Sequence, residues 1–177
     1  MESRKTVDSQ PSAPQRYIVV PRTLSFVLHD DAVLLIKRSP HRRIFPGKIN
    51  GLGGHVERDE DVWQAAAREI TEEAGLAVAD LWLAGVVNVE GNLGQAEPLA
   101  SGQLPGVRIF VFTAQAASRA VTATDEGELL WAPLAAVADL DWVDGDPGLL
   151  VQALAARRAG RTFFSYRGRD LDRKAKA

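Results

Sequence analysis

The 177-residue chain carries 21 basic and 23 acidic side chains, a formal net charge of −2, which excludes the broad positive field that grips a nucleic-acid backbone regardless of sequence. Hydrophobic residues at 46% and charged residues at 25% are ordinary globular values, excluding disorder or a fibrous repeat for the body of a chain whose length suits one domain. Without cysteine, disulfides and thiolate metal sites are excluded, so a bound metal must be held by oxygen or imidazole, which favours a hard cation.

Residues 1–15 are polar, include Pro11 and Pro14, and lack the apolar core of a signal peptide. They predict a flexible N-terminal tail ahead of a single domain over residues 16–177. No later run is apolar enough to span a membrane, so the expectation is a cytoplasmic protein with no membrane partner.

Residues 22–28 and 32–36 are rich in apolar and β-branched side chains and are separated by Asp30-Asp31, the pattern of a β-hairpin. Residues 37–48 then change character. Lys37, Arg38, Arg42, Arg43 and Lys48 lie among Pro40, Pro46 and Gly47, which predicts a basic irregular loop. Asn50-Gly51 suits a turn, and Gly51, Gly53 and Gly54 let the backbone pass close to another group.

A helix is predicted next. Asp61 and Gln64 have the spacing of a capping box, and Gly75 is placed to end the helix. At about 100° per residue, Trp63, Ala67, Ile70 and Ala74 form one stripe suited to a core, with the acidic residues elsewhere. Strands are expected at 81–89 and 107–114, joined by a long Gly- and Pro-rich loop, followed by a short strand at 129–132 and a helix at 149–158. Strands and helices in this mixed order predict an α/β fold with a mixed sheet.

On the predicted helix, Glu69, Glu72 and Glu73 share an arc of roughly 100°, because offsets of three and four residues bring side chains together. Like charges so placed repel unless a cation relieves them, and magnesium prefers oxygen ligands shared with substrate phosphates. Taken alone, three glutamates also suit a solvated acidic face. His41 and His55 have no neighbours at ligand spacing and are not expected to bind metal.

Read together, Gly54, Glu60, Arg68, Glu69, Ile70, Glu72, Glu73, Gly75 and Leu76 fill every fixed place of G-x5-E-x7-R-E-U-x-E-E-x-G-U, where U is a bulky aliphatic. The segment resembles the box of the Nudix hydrolases. That resemblance implies an α/β/α sandwich with a central mixed β-sheet, and a magnesium enzyme in which manganese can substitute. It also implies metal ligation by Glu72, Glu73 and Gly54, with Glu69 a metal ligand or the general base, Glu69, Glu72, Glu73 and Arg68 serving catalysis, and Glu60 pairing with Arg68.

Outside the box, residues 48–57 resemble the MutT-like branch, especially its 8-oxo-dGTP diphosphatases, where the asparagine matching Asn50 contacts the base. Residues 125–131 resemble that family's acidic turn, with Glu126 as a further metal-facing glutamate. Trp142 and Asp144 resemble a purine-reading pair, and residues 160–168 the family's C-terminal strand. Trp142 and Asp144 also suit a packing residue and a turn. Of the basic loop, Arg38 is the favoured phosphate contact because it ends a strand.

The resemblance implies hydrolysis of a purine nucleoside triphosphate, 8-oxo-dGTP being one candidate, to a monophosphate and pyrophosphate. Alternatives are Nudix hydrolysis of ADP-ribose, a dinucleoside polyphosphate or a nucleotide sugar, or a non-catalytic nucleotide-binding regulator. The implied partner is a small nucleotide rather than a nucleic-acid polymer, bound by a monomer or homodimer.

Overall fold

Seven strands form one mixed sheet in the computed structural model, which describes residues 17–90, 104–122, 125–143, 145 and 147–168. The expected tail at 1–15 and most of the long loop before the fifth strand lie outside the described residues. Strands β1 (Val19–His29) and β2 (Ala32–Arg38) make the expected hairpin, turning at Asp30, whose φ of 53° is left-handed. They are followed by β3 (Ile49–Asn50), α1 (Val62–Ala74), β4 (Val78–Val89), β5 (Gly106–Ala116), β6 (Gly127–Pro133), α2 (Gly148–Ala159) and β7 (Phe163–Arg167). A short 3-10 helix at Leu134–Asp139, which the sequence reading did not anticipate, follows β6.

The sheet runs β3-β2-β1-β5-β4-β7, with β6 also paired to β2. β1 lies parallel to β5 and β4 parallel to β7, and the other pairs are antiparallel. Alternation sends side chains to opposite faces. Leu24, Phe26, Leu28, Val33 and Leu35 enter one core with Leu149, Leu150 and Ala153 of α2. Val27, Leu34 and Ile36 enter a second core with Ile70 and Ala74 of α1. Helices therefore cover both faces, which explains why β1 and β2 read as nearly continuous apolar runs and gives the α/β/α sandwich.

β1 and β2 pair only near their turn, from Val27↔Leu34 to His29↔Ala32. Beyond that they diverge, and the chain after the basic loop wedges between them. Asn50 pairs with Ile36 on β2, while Leu52 and His55 bridge to Ser25 and Arg22 on β1. This fork places Asn50, Gly53 and Gly54 between the two central strands. It replaces the free Asn50-Gly51 turn with strand pairing at Asn50.

α1 begins as expected. The Asp61 carboxylate accepts from the backbone N–H of Trp63 and Gln64, the Gln64 side chain accepts from the Asp61 N–H, and Gly75 ends the helix at φ 66°. The expected core stripe holds at Ile70 and Ala74, both buried, and is corrected at its other half: Trp63 is 46% exposed and Ala67 is exposed, and Ala65, Ala66 and Glu73 are buried in their place. The helix is turned by roughly 70° from the apolar stripe. Small Ala65 and Ala66 let it approach the sheet, and the turn at Gly53 and Gly54 takes the carboxylates of Glu69 and Glu73 on the same side.

Candidate active site

Gly53 and Gly54 bring backbone against α1. A side chain at Gly54 would put its Cβ 2.3 Å from Glu69 Oε1, and one at Gly53, where φ is 142°, would meet the Thr23 carbonyl oxygen at 2.3 Å. Neither position admits a larger residue without displacing a carboxylate or a strand. In return, the Gly53 N–H donates to Glu73 Oε2 at 2.8 Å and the Gly54 carbonyl accepts from the Thr23 N–H at 2.9 Å.

Arg68 organises the outer side of this cluster. Its Nε and Nη2 donate to the two oxygens of Glu60 at 3.0 and 2.7 Å, the parallel fork that makes arginine–carboxylate pairing directional. Nη1 donates to Glu69 at 3.0 Å and Glu72 at 2.9 Å, and Nη2 also reaches the His55 carbonyl at 3.0 Å. The Glu57 N–H completes the anchorage of Glu60 at 2.8 Å. Hydrogen bonds from Arg68 and this backbone donor hold the Glu60 carboxyl below its ordinary range.

The glutamates behave differently because they are buried to different extents. Glu73 is only 6% exposed. Burial pushes its carboxyl up to about 8, against the Gly53 hydrogen bond, and the charges of Glu69 and Glu126 add to the rise. Burial also raises Glu69, with Arg68 opposing and Glu72 and Glu126 reinforcing. Glu72 is exposed.

Oxygen donors with mutual repulsion fit a divalent cation better than they fit one another. Among the described residues, Glu69, Glu72 and Glu73 each keep one carboxylate oxygen without a hydrogen bond. No three acidic or imidazole side chains among the described residues already converge on one point at metal-ligand spacing, so these three, with the Gly54 carbonyl and Glu126, would have to draw together to hold such an ion.

Glu73 and Glu126 line a cleft of about 800 Å³, open solvent included, that also bears Arg22, Arg38, Phe45 and Asn50. Glu126 pairs with Arg42 at 2.6 Å, while Arg38 Nε is tied to the Ile44 carbonyl at 3.1 Å. Leu24, Ile109, Val143 and Leu149 supply apolar walls. Asn50 also borders a smaller hollow of about 250 Å³, open solvent included, whose lining adds Phe26, Trp142, Pro147 and Leu150.

Trp142 is 4% exposed, and its Nε1–H donates to the Val137 carbonyl at 2.7 Å. Its neighbours are strapped to β3, where Ile49 N–H reaches the Asp141 carbonyl and Val143 N–H reaches the Ile49 carbonyl. Asp144 lies outside the described residues.

The fold thus brings Arg38, Asn50, Glu73 and Glu126 to one cleft, and places Trp142 in the cavity adjoining it. The sequence reading missed Arg22 and Phe45. Two-residue alternation from Leu24 and Phe26 was a usable signal for Arg22, a charge on an otherwise apolar strand face. Phe45 has φ 51°, which local sequence did not announce.

The domain model described as the NUDIX domain matches residues 20–152. Over 82 residues the chain is 38% identical to an isopentenyl-diphosphate Δ-isomerase from Mycolicibacterium vanbaalenii, covering 44% of this chain and 45% of that protein. Over 68 residues it is 41% identical to an oxidized purine nucleoside triphosphate hydrolase from Danio rerio, covering 38% and 42%. The matches span less than half the length of these curated relatives. In three dimensions the chain is similar to a MutT protein from Bacillus halodurans, with a TM-score of 0.60, 22% identity, and coverage of 84% of this chain and 91% of that one. Since the matched family model runs from β1 through the fork and the acidic helix into α2, the chain belongs to the Nudix family.

Proposed function

We propose that the chain hydrolyses a diphosphate bond of a purine nucleoside triphosphate, with 8-oxo-dGTP a candidate substrate, giving a nucleoside monophosphate and pyrophosphate. The observation that carries this reading is the buried Glu73 carboxyl, which lines one cleft together with Glu126, Arg38 and Asn50. Magnesium, for which manganese can substitute, would be held by Glu69, Glu72, Glu73, Glu126 and the Gly54 carbonyl. When bound, it neutralises phosphate charge and lowers the pKa of water. Arg68 orients Glu69 and Glu72 through its paired hydrogen bonds, and Glu60 fixes Arg68 in turn.

The apolar residues that line the cleft with Asn50, Leu24, Val143 and Leu149 among them, suit the faces of a base, and the Asn50 amide suits its hydrogen-bonding edge. Trp142 and Asp144 belong to the same proposed base-reading end, with Trp142 completing the apolar wall. A small nucleotide is the proposed partner, and the proposed location is the cytoplasm. Among the described residues no helix is long and apolar enough to cross a membrane.

Phosphate release measured with malachite green after added pyrophosphatase tests the reaction across oxidised and ordinary nucleoside triphosphates. ADP-ribose, dinucleoside polyphosphates, a nucleotide sugar and isopentenyl diphosphate, with product analysis, complete the panel. The expected result is magnesium-dependent turnover of a purine triphosphate, lowered by about a hundredfold or more in Glu72→Gln and Glu73→Gln. Near-normal rates in both variants would remove the metal assignment. Asn50→Ala should raise KM for a purine triphosphate more than for a pyrimidine one, and equal changes would defeat base reading by Asn50.

A further inference from the structure

Arg22 extends from β1 on the same strand face as Leu24 and Phe26, directly opposite Ile109 of β5. It is partly buried, and its guanidinium makes no hydrogen bond or ion pair among the described residues. Arg38, at the end of β2, spends only its Nε on the Ile44 carbonyl. These are the two basic side chains among the residues lining the cleft. Burial weakens the hold of both on a proton, Arg38 adds to this at Arg22 and Arg42 adds to it at Arg38, while Glu73 and Glu126 act on both in the opposite sense.

Drawing a guanidinium partly out of water beside another positive charge is unfavourable unless an anion completes the site. The carboxylates of Glu69, Glu73 and Glu126 act on Arg22 through space without meeting it, since among the described residues no ion pair joins them. An anion spanning this cleft therefore meets positive charge at two places: at a cation held by the carboxylates, and at the arginines. A polyphosphate has this form, and planar guanidinium groups match phosphate oxygens in paired hydrogen bonds.

We propose that Arg22 and the Nη groups of Arg38 form an anion-binding fork that grips substrate phosphate oxygens not engaged at the carboxylate cluster. This rests on the reading of the cleft as a site for a nucleoside triphosphate. It makes Arg22 a substrate-binding residue and assigns it the recognition of a phosphate, separate from the ion-holding glutamates and from Asn50.

The test is calorimetric titration of the full chain with inorganic tripolyphosphate in the presence of magnesium, at two salt concentrations. Wild type is compared with Arg22→Met, Arg22→Lys, Arg38→Met and the double methionine variant. Methionine retains an aliphatic stem, so the loss of charge is isolated from the loss of packing. Arg22→Met should raise Kd by about tenfold or more and flatten the salt dependence. Arg22→Lys should recover part of the affinity, the two methionine changes should be non-additive, and the melting temperature should stay close to that of wild type.

An Arg22→Met Kd within about twofold of wild type overturns the fork. A lowered melting temperature at unchanged Kd also overturns it, assigning Arg22 a purely structural role. If wild type hydrolyses nucleoside triphosphates yet fails to bind tripolyphosphate, the fork falls and the functional reading stands. If tripolyphosphate binding depends on Arg22 but no nucleotide is hydrolysed, the functional reading falls and the fork stands.

Discussion

Gly54 shows how a residue without a side chain governs carboxylate geometry. Its Cα lies against Glu69 so closely that an added Cβ would stand 2.3 Å from Oε1, well inside van der Waals contact. Gly54→Ala should push the Glu69 carboxylate off Arg68 and lower kcat by about a hundredfold, the scale expected of a misplaced reacting group. Steady-state kinetics and calorimetry on the same preparation check this. A normal kcat would show that Glu69 need not occupy its observed position. The requirement is legible in sequence only through the spacing of the box, because nothing local to Gly54 announces a helix residue fifteen positions later.

At the scale of elements, α1 was legible at its ends and not around its circumference. Caps are chemistry between near neighbours, so Asp61, Gln64 and Gly75 announce themselves. Which face turns inward depends on what lies across from it. Apolar periodicity found Ile70 and Ala74 but also favoured Trp63 and Ala67, whereas the fork between β1 and β2 presents Gly53 and Gly54, and α1 meets them with Glu69 and Glu73.

The cap is separable from the chemistry, since Asp61 touches only the first turn. Asp61→Ala should cost about 1 kcal/mol of stability while leaving kcat for the folded enzyme unchanged. Denaturant titration beside activity measurements decides this. A large fall in kcat would mean that fraying at the helix start reaches the glutamates two turns on.

At the scale of the whole molecule, the site joins segments that sequence keeps far apart. Arg22, Arg38, Asn50, Glu73, Glu126 and Leu149 meet because β1 and β2 diverge and α2 closes the opposite face. The glutamates could be found from one helix because their relation is local. Arg22 and Phe45 could not be placed without knowing which strands part.

Closing the cleft removes Glu73 from water, and this couples the stability of the entire fold to proton and cation binding. Its folded pKa of about 8 lies above the ordinary 4.5, so unfolding releases a proton between those values. Stability without metal is therefore greatest below the lower value and declines as pH rises toward the upper one. Glu69 acts in the same direction. Glu60, whose pKa is lowered, contributes stability that is lost only as pH falls below the ordinary carboxylate range, outside this window.

Scanning calorimetry in chelator should give a melting temperature that falls from pH 5 to pH 8, and magnesium, binding the ionised carboxylates, should restore more at pH 8 than at pH 6. Glu73→Gln should flatten the decline and reduce the magnesium effect. A pH slope unchanged in Glu73→Gln would mean that another group carries the penalty. A magnesium increment equal at both pH values would mean that cation binding does not require the ionised carboxylates.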